Sequence, residues 1–163
     1  MSLSICCLNV RGLGDNLKRR ELFNWLRMQK HSIYMLQEVH CSEGTNSMWA
    51  AEWGYRTIFS GQDSSKCGVA ILFNNTFSFE IRKFFSDPNG RFIICDIETE
   101  QKCVTLATLY APNVDDPSFF ELLFDHLHDF ECDEIIIGGD FNLVLNIEMD
   151  KKGGLARTHL KSA

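Results

Sequence analysis

The sequence predicts an α/β sandwich with a mixed sheet and helices on the outside, and three observations carry that reading. Apolar runs of strand length and helix-period stretches follow one another as β-α-β, then a run of strands, then α-β. Turn residues punctuate the middle strands at short intervals. Four of the strand-like runs end in polar residues, which is where α/β proteins place their binding and reacting groups.

Each element has a local reason. Residues 3–10 are an apolar run, read as a first strand. Residues 1–10 show no basic n-region or cleavage pattern, so they do not read as a signal peptide. Residues 11–15 hold two glycines and form a turn. Asn16 then caps a predicted helix over 17–30, with Leu22, Trp25 and Leu26 expected on its buried face. Residues 32–36 are the next strand, closed by Gln37 and Glu38. Residues 41–53 read as a loop and a short helix carrying Trp49 and Trp53. Strands are predicted over 55–59, 68–73, 77–85, 91–97 and 104–110. Asn74-Asn75 and Pro88-Asn89-Gly90 suggest hairpins.

Asp116-Pro117 opens the last helix, as a cap and an N1 proline. Phe120, Leu123, Leu127 and Phe130 follow its period and should pack on a sheet. Residues 132–139 are the final strand, where the β-branched run Ile135-Ile136-Ile137 predicts burial. After Asn142 the pattern decays into a polar tail over 143–163, with Lys151, Lys152, Arg157 and Lys161. Residues 1–142 therefore read as one domain. Because the pattern stops there, the strands over 104–109 and 135–137 are expected to lack neighbours on one side.

Composition narrows the function. A net charge of −6 argues against binding nucleic acid through bulk charge, while leaving room for an enzyme that grips phosphate through a metal ion. The 7 cysteines are scattered, with no Cys-x-x-Cys pair to suggest zinc. Cys6, Cys7, Cys95 and Cys103 lie in strand-like runs, where cysteine acts as a small hydrophobe. That usage points to a reducing, intracellular setting, nucleus and cytoplasm not being distinguished. No apolar run approaches a membrane span.

The strand ends carry the chemistry. Asn9 ends the first strand, Glu38 the second, Tyr110 with Asn113 a later one, and Asp140 with Asn142 the last. Two carboxylates, three amides and a phenol suit phosphate-ester hydrolysis. One carboxylate can hold a hydrated magnesium ion, and the other can orient or deprotonate a water. Amides and a phenol can donate to the phosphate oxygens as charge develops.

The ordered series Leu8-Asn9, Leu36-Gln37-Glu38, Gly68-Val69-Ala70, Gly90-Arg91-Phe92, Tyr110-Ala111-Pro112-Asn113 and Gly139-Asp140-Phe141-Asn142 resembles the endonuclease/exonuclease/phosphatase superfamily. Asn9-Val10-Arg11-Gly12-Leu13, Leu36-Gln37-Glu38-Val39-His40 and Asp150-Lys151-Lys152-Gly153-Gly154 bring it nearest to the endonuclease domain of LINE-type (non-LTR) retrotransposons. The resemblance implies a two-sheet, DNase I-like sandwich. It implies that Glu38 binds magnesium, or manganese in its place, with Asn9 beside it. It implies that Asp140 positions the nucleophilic water, that Asn142 and Tyr110 contact the scissile phosphate, and that Gln37 is a supporting neighbour. DNA is the implied partner, with a reverse transcriptase domain in cis.

One departure matters. Family members continue past the Gly-Asp-Phe-Asn motif to a Ser-Asp-His motif whose histidine acts on the phosphate, and this sequence has none. Asp125-His126 comes before Asp140, the wrong place in the order, and His159 has no neighbouring aspartate, so no catalytic histidine is assigned. The chain therefore reads as a DNA-nicking domain incomplete at its C-terminus and inactive by itself. Two rival readings stay open: a phosphatase of the same superfamily, and a non-catalytic remnant or interaction module.

Overall fold

Four layers stack in the computed structural model, which describes residues 2–61 and 66–143. The elements run β1 (Ile5–Asn9), α1 (Asn16–Gln29), β2 (Ile33–Gln37), α2 (Glu43–Trp53), β3 (Thr57–Ser60), β4 (Val69–Phe73), β5 (Glu80–Ser86), β6 (Phe92–Glu98), β7 (Cys103–Tyr110), α3 (Pro117–Leu127) and β8 (Glu134–Asp140). One sheet has the order β1-β2-β4-β3 and the other β5-β6-β7-β8. β1 with β2 and β7 with β8 are parallel, and the remaining pairs are antiparallel, so both sheets are mixed.

Side-chain alternation along the strands builds the layers. On β2, Ile33 and Met35 face the second sheet and pack with Ile93, Cys95, Val104 and Leu106. Tyr34 and Leu36 point the other way, onto Phe23, Leu26, Trp49 and Trp53 of α1 and α2. On the far side, Phe92, Ile94, Ala107 and Leu109 meet Phe119, Leu123 and Leu127 of α3. Among the described residues no helix is long and apolar enough to cross a membrane.

Several elements depart from the sequence reading for physical reasons. Asp15, not Asn16, caps α1, its carboxylate accepting from the Lys18 amide at 2.7 Å. The buried stripe of α1 is Arg19, Phe23 and Leu26, while Trp25 is 49% exposed. Asn74-Asn75 is not a hairpin, because β4 and β5 belong to different sheets. Asn74 is buried there and tied to the start of β2, its amide donating to Ser32 O at 2.9 Å. Pro88-Asn89-Gly90 does turn a hairpin, between the antiparallel β5 and β6. In α3 Phe119 joins Leu123 and Leu127 as buried, and Phe120 and Phe130 pack against them partly buried.

The last strand shows the largest difference. Among the described residues β8 is an edge strand paired only with β7, and the run Ile135 to Ile137 is not uniformly buried. Ile136 enters the core between the sheets, while Ile135 and Ile137 are 52% and 37% exposed on the other face. β7, expected at an edge, is flanked by β6 and β8 and is largely buried. Cys103 does not act as a lone small hydrophobe: it forms a disulfide with Cys132, their Cα atoms 5.3 Å apart, tying the start of β7 to the segment before β8. The polar tail beyond Leu143 lies outside the described residues.

Candidate active site

Parallel pairing brings the polar strand ends together. β1 and β2 run side by side with Asn9 opposite Gln37, and β7 and β8 with Tyr110 opposite Asp140. The two parallel pairs face one another across the sandwich, so their C-terminal ends open onto one end of the fold. Cys7, Asn9, Gln37, Asn113, Asp140 and Asn142 line a cleft of about 630 Å³ there.

Asn9 is the hub. Its Nδ2 donates to Glu38 Oε1 at 2.8 Å and to Asp140 Oδ2 at 3.2 Å. Its Oδ1 accepts from the Arg11 amide at 3.0 Å. Both halves of the amide are therefore committed, and the two carboxylates are held side by side by a neutral group. Asp140 Oδ1 accepts from the Asn142 amide at 3.0 Å, and the Asn142 side chain donates to Ala111 O at 2.7 Å. Gln37 is buried beneath, donating to Met35 O at 3.0 Å and Thr108 Oγ1 at 3.2 Å, which links the two sheets under the cleft.

Tyr110 faces Glu38. Burial pushes its phenol above the usual range, and the hydrogen bond and charge of Glu38 push in the same direction. Arg91 opposes them weakly, its guanidinium lying 5.1 Å from the Tyr110 ring centre and donating to Tyr110 O at 3.3 Å.

The backbone around this cluster is strained. Arg11, Glu38, His40 and Asn142 all adopt positive φ, between 48° and 56°. Such conformations cost on the order of 1–3 kcal/mol each and persist only where surrounding structure enforces them. Gly139, at φ 147°, is required for another reason: a Cβ there would collide with the Leu109 carbonyl of the neighbouring strand.

The donor set fits a hard divalent cation. Glu38 and Asp140 supply carboxylate oxygens, and neither belongs to an ion pair among the described residues. No three His, Cys, Asp or Glu side chains converge on a metal-sized site among those residues.

Residues 6–147 match the family described as Endonuclease/Exonuclease/phosphatase. The chain belongs to that family. Its sequence is similar to the Transposon TX1 uncharacterized 149 kDa protein of Xenopus laevis, at 32% identity over 149 residues, covering 90% of this chain and 11% of that protein. The likeness to a mobile-element protein read from the motifs thus has a counterpart among known sequences. In structure, the chain resembles D. rerio TDP2 complexed with a single-strand DNA product, with a TM-score of 0.63 and 18% identity, covering 90% of this chain and 62% of that one. It also resembles a 3′ phosphatase, NExo, from Neisseria bound to a product DNA hairpin, with a TM-score of 0.63 and 22% identity, covering 87% and 58%. The chain thus spans a small part of its transposon relative and less than two thirds of these two structures.

All six strand-end residues singled out from sequence, Asn9, Glu38, Tyr110, Asn113, Asp140 and Asn142, lie at this end of the endonuclease/exonuclease/phosphatase fold. Sequence reasoning missed Arg91 as a neighbour of Tyr110, although Gly90-Arg91-Phe92 was part of the motif series. It also missed Lys18, whose Nζ donates to Val10 O at 2.8 Å and Arg11 O at 3.0 Å. A lysine at the start of a helix gives no sequence signal for binding the carbonyls of the turn before it.

Proposed function

We propose that the chain forms the metal- and phosphate-gripping face of a magnesium-dependent endonuclease that nicks DNA and works within a retroelement protein. The observation that carries this reading is the Asn9 bridge, which brings Glu38 and Asp140 together from two different sheets. Glu38 is the magnesium ligand, with manganese able to replace magnesium. The bound cation would neutralise charge on the phosphate. Asn9, with both ends of its amide engaged, sets the spacing of the carboxylates. Asp140 orients the water for attack and accepts its proton. Tyr110 stays protonated at neutral pH, because burial and Glu38 both favour its neutral form, and so can donate to a phosphate oxygen. Asn142 contacts the same phosphate.

The transposon relative supports the retroelement setting, and a reverse transcriptase carried in cis is part of the proposal. The sequence carries no Ser-Asp-His motif to supply the family's histidine. His126 is on α3, stacked at 4.0 Å on Phe85, and His159 lies outside the described residues. The 163 residues alone are therefore expected to hydrolyse DNA no faster than background, since catalytic groups acting as a unit fail together. The test is nicking of supercoiled plasmid with magnesium, comparing this chain with a polypeptide that carries it in cis with a Ser-Asp-His segment. The longer polypeptide should nick, and Asp140→Ala should abolish nicking. Nicking by the chain alone, or nicking that survives Asp140→Ala, would overturn the proposal.

A further inference from the structure

Arg19 is a charged side chain where the α1 stripe calls for an apolar one, and it is 1% exposed. Its guanidinium is spent entirely on internal partners. Nε donates to Glu52 Oε2 at 2.6 Å and Nη2 to Glu52 Oε1 at 2.9 Å, a two-point fork across to α2. Nη2 also donates to Asn16 Oδ1 at 2.8 Å, and Nη1 donates to Leu13 O at 2.9 Å. Its other face lies 5.0 Å from the centre of the Trp49 ring.

The bond to Leu13 leads to the candidate site. Leu13 is fully buried, and its amide donates to Val39 O at 3.1 Å. The Gly12 amide donates to Glu38 O at 2.6 Å, and the Val10 amide to Gln37 O at 2.9 Å. The turn after Asn9 is thus laced to the backbone on either side of Glu38. That lacing holds Arg11 and Glu38 at φ 50° and 51°, which neither would adopt freely. Arg19 grips the turn from behind, by a group that is anchored on a second helix.

We propose that Arg19, held by Glu52, is a positioning residue that fixes the 10–13 turn and thereby sets the placement of Asn9 and Glu38. Its consequence for cation binding rests on the function proposed above. Arg19 touches neither carboxylate of the site and acts only through the turn. The Lys18-Arg19-Arg20 run is divided in its use: Arg19 turns inward and Lys18 caps the same turn from outside.

The test uses the full chain and two readouts. Arg19→Lys keeps the charge but cannot reproduce the two-point fork and the Leu13 bond together. Leu123→Ala, in the core against α3, serves as a remote variant of comparable destabilisation. Hydrogen exchange, run well below the melting temperature, should show the Gly12 and Leu13 amides of Arg19→Lys exchanging about ten-fold faster or more, with those of Ala107 and Leu109 on β7 unchanged. Leu123→Ala should not deprotect Gly12 and Leu13 selectively. The midpoint for manganese should weaken by about 10–100-fold in folded Arg19→Lys, the usual effect of losing a group that orients a ligand. Glu52→Gln should move both readouts in the same direction. Unchanged Gly12 and Leu13 exchange would overturn the inference, and so would local deprotection with an unaltered manganese midpoint. Local deprotection in a protein whose wild type binds no manganese would support the positioning role while sinking the cation reading of the site.

Discussion

The Asn9 side-chain amide donates to Asp140 at 3.2 Å across 131 residues of chain, and the same nitrogen donates to Glu38 at 2.8 Å. One neutral group therefore sets the distance between two carboxylates from different sheets. Without it, nothing would hold the two like charges side by side. Asn9→Ala should leave the fold intact and weaken manganese binding by about 10–100-fold. Calorimetric titration of the folded variant checks this, and an unchanged midpoint would show that the bridge has no part in holding a cation.

Tyr110 gives a prediction whose sign differs between two neighbours. Its phenol is raised by burial first and by Glu38 second, and lowered by Arg91. In a spectroscopic titration, Tyr110 should ionise above the ordinary value of about 10. Glu38→Gln should bring that ionisation down, and Arg91→Ala should push it further up. The difference between each protein and its Tyr110→Phe counterpart isolates the signal. Shifts of the same sign in the two variants would contradict the described packing.

The Arg19–Glu52 pair predicts an acid limb in stability. The hydrogen bond and charge of Arg19 hold the Glu52 carboxyl below its usual range against the opposing effect of burial. A carboxyl depressed in the folded state stabilises the fold above its unfolded value, about 4.3 for Glu, and that stability is lost as pH falls through the folded value. Denaturant unfolding measured from about pH 6 downward should show stability falling below about pH 4–5. Glu52→Gln should be less stable at neutral pH and should flatten that limb. A parallel pH profile in the variant would remove Glu52 from the account.

The flank formed by β1 and β8 predicts association. Among the described residues both are edge strands, and Ile135 and Ile137 expose apolar surface beside the outer edge of β8. Light scattering of the purified chain should show concentration-dependent association. Ile135→Lys, at a position 52% exposed, should suppress it with little effect on the melting temperature. A monomer at all concentrations would mean that this edge is covered.

Much of this was legible in the chain because local rules and the global fold agree. The β-branched runs, the Pro117 helix start and the turn at Pro88-Asn89-Gly90 each behave as their chemistry dictates. The polar strand ends were legible because amides and carboxylates recur where apolar runs stop. What was not legible depends on contacts between distant residues. Arg19 occupies a core position only because Glu52, on another helix, and the Leu13 carbonyl neutralise it. Trp25 is displaced from the core by that same choice of stripe. The Ile135 to Ile137 run signals burial, but only the sheet order shows that it lies at an edge among the described residues. Asn74-Asn75 has turn chemistry, and nothing local says that the chain there changes sheets. Cys103 meets Cys132 through the parallel return of β8 along β7, which cysteine spacing does not encode.

We propose that Glu38 binds one divalent cation at the end of the sandwich, with Asp140 beside it to orient the attacking water. Terbium, a hard oxygen-seeking probe, titrated into the folded chain and displaced by magnesium or manganese, measures this directly. Wild type should give a saturable signal that magnesium reverses. Glu38→Ala should abolish it, and Asp140→Ala should weaken it. An equal signal in wild type and Glu38→Ala, both folded, would contradict the account.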